Sequence, residues 1–346
     1  MKTTIKFSKL ISLGVVMSGA LLSNLSLAQE TVTMSLASWL PPTHVQNSIV
    51  IPTWSKWIEE ATQGRVKVHV EYGMGHPKTM FDLVEDNVVN ASWSFHGFVP
   101  GRFKLTQIVE QPLLGVTPEA ASVAHWRVNE KYFKNSNEFE GLVLAALFTH
   151  GPGQIQLDAP ISSLSELKDK KIRIGGGVQA EIAKRMGVTV VAASATKVYE
   201  MMQQKVIDGA FLPISEQKSL RLNEVARNVV MLPGGMYLGS FSMFINPEFL
   251  SQLSARDRAA IMSVSGEKLS AMAGRAWEQG DREGYEKSVA AGVNIIEVGQ
   301  NQQMAEQFRT LTVGMDQAWY NSVAKRTDDA EGALAELREI ARGYTQ

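Results

Sequence analysis

Arg173, in the stretch KKIRIGGG, is the side chain whose type and position point most directly to chemistry. Alternation along a short strand puts Lys171, Arg173 and Gly175 on one side and Ile172 and Ile174 on the other. A guanidinium near the end of such a strand, in a sheet covered on both faces, is costly unless it meets an anion, and its rigid fork matches a carboxylate bidentately. An internal Asp or Glu partner, or escape to solvent, satisfies the same pattern, so three environments stay open for Arg173. Gly175, Gly176 and Gly177 follow directly and lead into a helical run. They could offer backbone N–H groups to an anion. Neither G-x-G-x-x-G nor G-x-x-x-x-G-K-[ST] is present, however, so a tight turn beside an approaching ligand is the better reading than a nucleotide site.

Trp39, Trp93, Phe98 and Phe211 fall at loops or strand exits. Together they suggest an apolar wall for a ligand's carbon skeleton, with His96 or His150 as a polar contact, although each also fits ordinary core. Signals for catalysis are poor. The histidines lie at 44, 69, 76, 96, 125 and 150 with no H-E-x-x-H spacing, and no zinc site is expected. SELK at 165–168 and SGEK at 265–268 fit S-x-x-K but lack the S-D-N and K-T-G segments, and G-x-S-x-G is missing. No enzyme, cofactor or metal is expected.

The elements that must position these residues follow from periodicity. Thr31 to Ala37 alternates as a strand, Ile51, Trp54, Ile58 and Ala61 share a helix face, and Val66, Val68 and Val70 line one side of a second strand. Strand, helix, strand is a crossover unit and implies parallel pairing. MFDLVEDNVVNASW at 80–93 then reads as a helix through Val88 and a buried strand. VYEMMQQKVIDGAF at 198–211 repeats the rhythm, with Phe81 matching Tyr199 and Trp93 matching Phe211. Two α/β lobes facing one cleft account for the repetition. From SMFINPEFL the pattern reads as helical to about Ala291, with a break between Gly266 and Gly274 and Asn246 as a cap.

A basic head at Lys2, Lys6 and Lys9, an apolar run from Leu10 to Leu22 and small residues at Ser26 and Ala28 read as a signal peptide, residues 1–28, cleaved after Ala28 on export. With 34 basic and 35 acidic residues the chain lacks the concentrated basic charge of a nucleic-acid groove. No cysteine is present, so neither a disulfide nor a Cys-linked lipid is available.

The segments SLASWLPPTHVQN, EEATQGRVKVHV, GFVPGRF, LFTHGPGQI, LKDKKIRIGGG, KVIDGAFLP and INPEFLSQLSARDRAAI, in this order, resemble the DctP-like solute-binding proteins of tripartite ATP-independent periplasmic (TRAP) transporters. The resemblance implies an α/β, two-lobe periplasmic binding protein fold with mixed central sheets, hinge crossings and a ligand cleft between lobes. It divides the chain into lobe I (29–151 and 240–282) and lobe II (152–239 and 283–346). It also implies an organic acid ligand and integral-membrane transporter subunits as partners, with a monomer expected and a dimer as the alternative. Within the resemblance Arg173 clamps the ligand carboxylate, Gln154 stands where a second Arg is often found, and Leu212 precedes Pro213 where some members carry Asn. These departures point away from a sialic acid or C4-dicarboxylate and toward a 2-oxo or aromatic monocarboxylate. The expected contacts are Arg173, Gln154, Trp39, His44, Trp93, His96, Phe98, Phe211, Pro213 and Gly175. A sensory module for a membrane receptor, or a secreted enzyme on the same fold, are the alternatives.

Overall fold

The computed structural model describes residues 31–300 and 302–344; the expected signal peptide lies outside them. The strands are β1 Val32–Ser38, β2 Val66–Tyr72, β3 Ala91–Phe95, β4 Val143–Thr149, β5 Gly153–Leu157, β6 Lys171–Ile174, β7 Thr189–Ala192, β8 Gly209–Pro213, β9 Asn228–Met231, β10 Ser240–Ile245 and β11 Asn294–Glu297. They form two mixed sheets, β2-β1-β3-β10-β4 and β11-β9-β5-β8-β6-β7. Each anchors one lobe. β1 and β2 pair in parallel across the helix Ile51–Ala61, whose Ile51, Trp54 and Ile58 are buried, as their spacing requires.

The internal repeat is structural. The helices Met80–Glu85 and Val198–Gln203 start 118 residues apart, and so do β3 and β8. Asn87 and Lys205, at the same offset, both take left-handed backbone (φ 55° and 59°) in the turn between helix and strand. That turn ends the first helix sooner than its apolar spacing suggests, and Val88 is 56% exposed rather than part of the buried stripe.

SMFI is a correction. It belongs to β10, which lies between β3 and β4 in the first sheet and is antiparallel to both, and all six β10 residues are buried. A short apolar run buried on both faces has no periodicity to separate strand from helix. Asn246 does cap the helix Pro247–Gln252, accepting the Phe249 N–H at 2.8 Å. The expected break falls at 264–266, and the helix Glu267–Ala290 runs on through Gly274.

The chain passes between sheets at 150–152 and 232–239. The helix Glu267–Ala290 serves both lobes: Leu269, Ala273 and Trp277 join the first core, and Tyr285 packs with Val229 and Val293 under the second sheet. The helices Met315–Val323 and Ala330–Gly343, expected with the second lobe, bring Trp319, Val323, Leu334 and Leu337 onto Leu105, Val109 and Val128. No helix among the described residues is long and apolar enough to cross a membrane.

Candidate functional site

β6 is held between β7 and β8 and runs parallel to both, with Arg173 opposite Val191 and Ala210. Ile172 and Ile174 enter the second-lobe core. Arg173 is only 2% exposed. Its Nε donates to the Ala193 carbonyl at 2.9 Å, which pins the guanidinium plane. Neither Nη hydrogen-bonds a described residue, and no described carboxylate lies within ion-pair distance. Burial pushes its pKa down to about 10, against the pull of Tyr237 and Glu216, so the group stays charged at neutral pH. Of the three environments open to Arg173, solvent exposure and an acidic partner among the described residues are thereby removed.

Arg173 lines a cavity between the two sheets. The second lobe contributes Arg173, Gly175, Gln179 and Ala195, then Leu212, Pro213 and Glu216 at and beyond the exit of β8. The first contributes Trp39 and Leu40 after β1, Phe95 and Phe98 at the exit of β3, and Phe241 in β10. His150 enters from the first crossing and Trp277 from the long helix. The rings form a continuous surface: Trp39 to Phe98 is 5.6 Å edge-on, Phe98 to Phe95 5.2 Å, Phe95 to Phe241 5.2 Å and Phe241 to Trp277 6.0 Å. Two polar groups stand among them. His150 Nδ1–H donates to the Gly151 carbonyl at 2.5 Å, and burial lowers its pKa to about 4, so the ring is neutral. Gln179 Oε1 accepts the Gly175 N–H at 3.0 Å, which leaves its amide Nε2 without a partner among the described residues.

Trp39, Phe98, Arg173, Gly175 and Pro213 of the expected contacts lie on this wall. The other five lie off it. Trp93 backs Trp39 at 4.8 Å between ring centroids and donates from Nε1 to Ser38 Oγ at 2.9 Å. His96 is directed into a different layer, hydrogen-bonded to Ser240 and Ser242 and stacked at 4.4 Å on Phe103. Gln154 Oε1 accepts the Leu232 N–H at 2.9 Å, and Phe211 is fully buried in the second core. His44 stands behind the wall, with Nε2 3.5 Å from Glu216 Oε1. Sequence reasoning missed Phe95, Gln179, Glu216, Phe241 and Trp277. Phe95 alone had a signal, at a strand exit; Trp277 sat in a stretch read as undifferentiated helix, and Phe241 lay just before it with no element assigned.

Beside the cavity the lobes meet backbone to backbone. Gly176 has φ +116°, and a Cβ there would lie 2.2 Å from the Gly97 carbonyl oxygen. Next to this seam Glu110, fully buried, accepts the Val178 N–H at 2.8 Å and the Ser240 N–H at 3.1 Å. Burial raises its pKa from 4.5 to about 7, against those two hydrogen bonds. Its folded value exceeds the unfolded one, so its stabilisation is fully present below pH 4.5 and lost as pH rises through about 7. Between these limits the unfolding free energy should shift toward Glu110→Gln relative to wild type by about 3 kcal/mol. Urea titrations across that range check the slope; a pH-independent difference contradicts it.

Residues 36–318 match the bacterial extracellular solute-binding protein family 7, DctP. A Comamonas testosteroni protein named outer membrane transporter protein TsaT is 31% identical over 321 residues, 91% of this chain and 94% of that one. A TRAP periplasmic solute-binding protein from Bordetella bronchiseptica, crystallised with bound (R)- and (S)-mandelate, is similar at 31% identity and TM-score 0.87, over 90% of this chain and 99% of that one. A TRAP solute-binding protein from Rhodoferax ferrireducens, in complex with copurified benzoate, shares the fold at 24% identity and TM-score 0.84, over 90% and 98% of the two chains. With its two mixed sheets and the cavity between them, this chain belongs to that family, the DctP-like periplasmic solute-binding proteins of TRAP transporters.

Proposed function

We propose that this chain binds an aromatic monocarboxylate in the cavity at Arg173 and delivers it to the membrane subunits of an ion-gradient-driven TRAP transporter. The observation that carries this reading is the buried guanidinium whose Nη groups have no partner among the described residues, at the wall of an aromatic cavity. A carboxylate is the group that fits its fork, and the free amide of Gln179 is a second donor on the same wall. Charge balance favours one carboxylate. Among the described residues Arg173 is the only cation on the wall and Glu216 is an anion, so a second ligand carboxylate would meet repulsion without a counter-charge. The rings of Trp39, Phe95, Phe98, Phe241 and Trp277 favour a flat apolar body over a small 2-oxo acid. Mandelate in the Bordetella bronchiseptica relative is in keeping with this class.

Thermal-shift screening of refolded, ligand-stripped protein tests the reading. Benzoate, phenylacetate or mandelate should raise the unfolding temperature, since a ligand at a hundred times its Kd adds about 2.7 kcal/mol to stability. Succinate and malate should not. Stabilisation by the dicarboxylates with none by the aromatic acids would overturn it.

A further inference from the structure

One buried carboxylate joins the two lobes. Glu110 Oε1 accepts the N–H of Ser240, the first residue of β10 in the first sheet, at 3.1 Å. Its Oε2 accepts the N–H of Val178 at 2.8 Å, at the start of the helix Val178–Arg185 that follows β6 of the second sheet. The contact is tight, since a Cβ on Gly177 would lie 2.3 Å from the same Oε2. Glu110 is fully buried, and no cation among the described residues pairs with it. Its titratable neighbours are neutral. His96 and His125 both meet Ser240 Oγ at 2.8 Å, and burial holds both well below the ordinary histidine range. Tyr237, which feels the Glu110 charge, is pushed up by burial and keeps its proton. On the outer side of the seam Lys104, Glu181 and Lys184 share a groove with Gly177 and Val178, and none of the three pairs with Glu110.

The ligand site makes this contact conditional. Arg173 is buried and the cavity wall comes from both lobes, so a ligand reaches Arg173 only when the lobes part. Parting takes Val178 away from Glu110 and lets water reach the carboxylate. Closing reverses both. On the reading that a ligand carboxylate binds at Arg173, we propose that Glu110 is a positioning residue for closure, holding the Gly175–Gly177 turn beside Arg173 and taking up a proton from solvent as the lobes shut. Sealing an ionised Glu110 into the seam costs the desolvation of a charge without a counter-ion, and a protonated one avoids that cost. In the closed form burial raises its pKa to about 7, whereas in water it returns toward 4.5. The closed value is the higher, so the proton is bound on closing. The Glu110 contribution to affinity is therefore full below 4.5 and lost as pH rises through about 7. His150 acts with the opposite sign, because its pKa is lowered to about 4 in the closed cavity and it sheds a proton on closing.

Calorimetric titration of ligand-stripped wild type and Glu110→Gln with benzoate, phenylacetate and mandelate separates the two. The ratio of wild-type to variant affinity should grow about tenfold between about pH 8 and about pH 6, a range over which carboxylate ligands stay ionised and the His150 effect cancels. A ratio that does not change with pH would overturn the proposal. Infrared difference spectra of wild type decide even if Glu110→Gln does not fold. Ligand binding at about pH 6 should produce a protonated-carboxyl C=O band that is nearly lost at about pH 8. Asp281, which accepts the Ser215 N–H at 3.1 Å, is the other described carboxylate that burial raises to about 7. The band should persist in Asp281→Asn. Its absence from wild type, or its loss in Asp281→Asn, would overturn the assignment to Glu110. Binding by none of the three acids would instead defeat the aromatic-acid reading beneath it.

Discussion

Arg173→Met should bind the ligand of this protein roughly thirtyfold to several thousandfold more weakly than wild type, the equivalent of about 2 to 5 kcal/mol for losing one partner of a buried charged pair. The same substitution should make the ligand-free protein more stable. Burial lowers the Arg173 pKa from 12.5 to about 10, a cost of about 3 kcal/mol that a methionine of similar length does not carry. Urea unfolding of both stripped proteins measures the second effect and calorimetry the first. The opposed signs are diagnostic, because a residue kept for the fold would lose stability on replacement, whereas one kept for an anion would lose only the anion. A stripped variant less stable than wild type, with affinity intact, contradicts both halves.

Gly176→Ala should weaken binding at least about tenfold without touching any cavity side chain. A Cβ at Gly176 would lie 2.2 Å from the Gly97 carbonyl oxygen and 2.9 Å from its carbon, and backbone cannot swing aside as a side chain can. The lobes must then part at the seam beside Arg173, admitting water to the ion pair and weakening it. The backbone itself adds strain on the order of 1–2 kcal/mol, because φ +116° suits no alanine. Gly101→Ala separates the two effects. Its φ of +91° carries similar strain, but nothing lies within 4 Å of the added methyl. Gly101→Ala should therefore lose stability and keep its affinity, whereas Gly176→Ala loses both. Equal affinities in the two variants would remove the seam from the account.

Much of this was legible in the sequence, and the remainder was hidden for physical reasons. Periodicity placed Ile51, Trp54 and Ile58 on one buried helix face, and alternation put Arg173 opposite Ile172 and Ile174. The repeat at offset 118 survives to the level of a matching left-handed residue in each turn. β10 was not legible, because a strand buried on both faces shows no polar side to mark its period. Cavity contacts were harder still. Trp93 and Trp39 have the same chemistry and neighbouring positions, but only Trp39 reaches the cavity, since Trp93 is turned into the core toward Ser38. Glu216 carries no motif: its place on the cavity wall and its contact with His44 both come from residues far away along the chain.

A crystal structure of the protein with mandelate or phenylacetate bound tests the central claim most directly. The account predicts the ligand's carboxylate oxygens about 2.7–2.9 Å from the two Nη atoms of Arg173, with the ring among Trp39, Phe98 and Trp277. A carboxylate held elsewhere, with Arg173 still unpaired or turned to a protein acid, would contradict it.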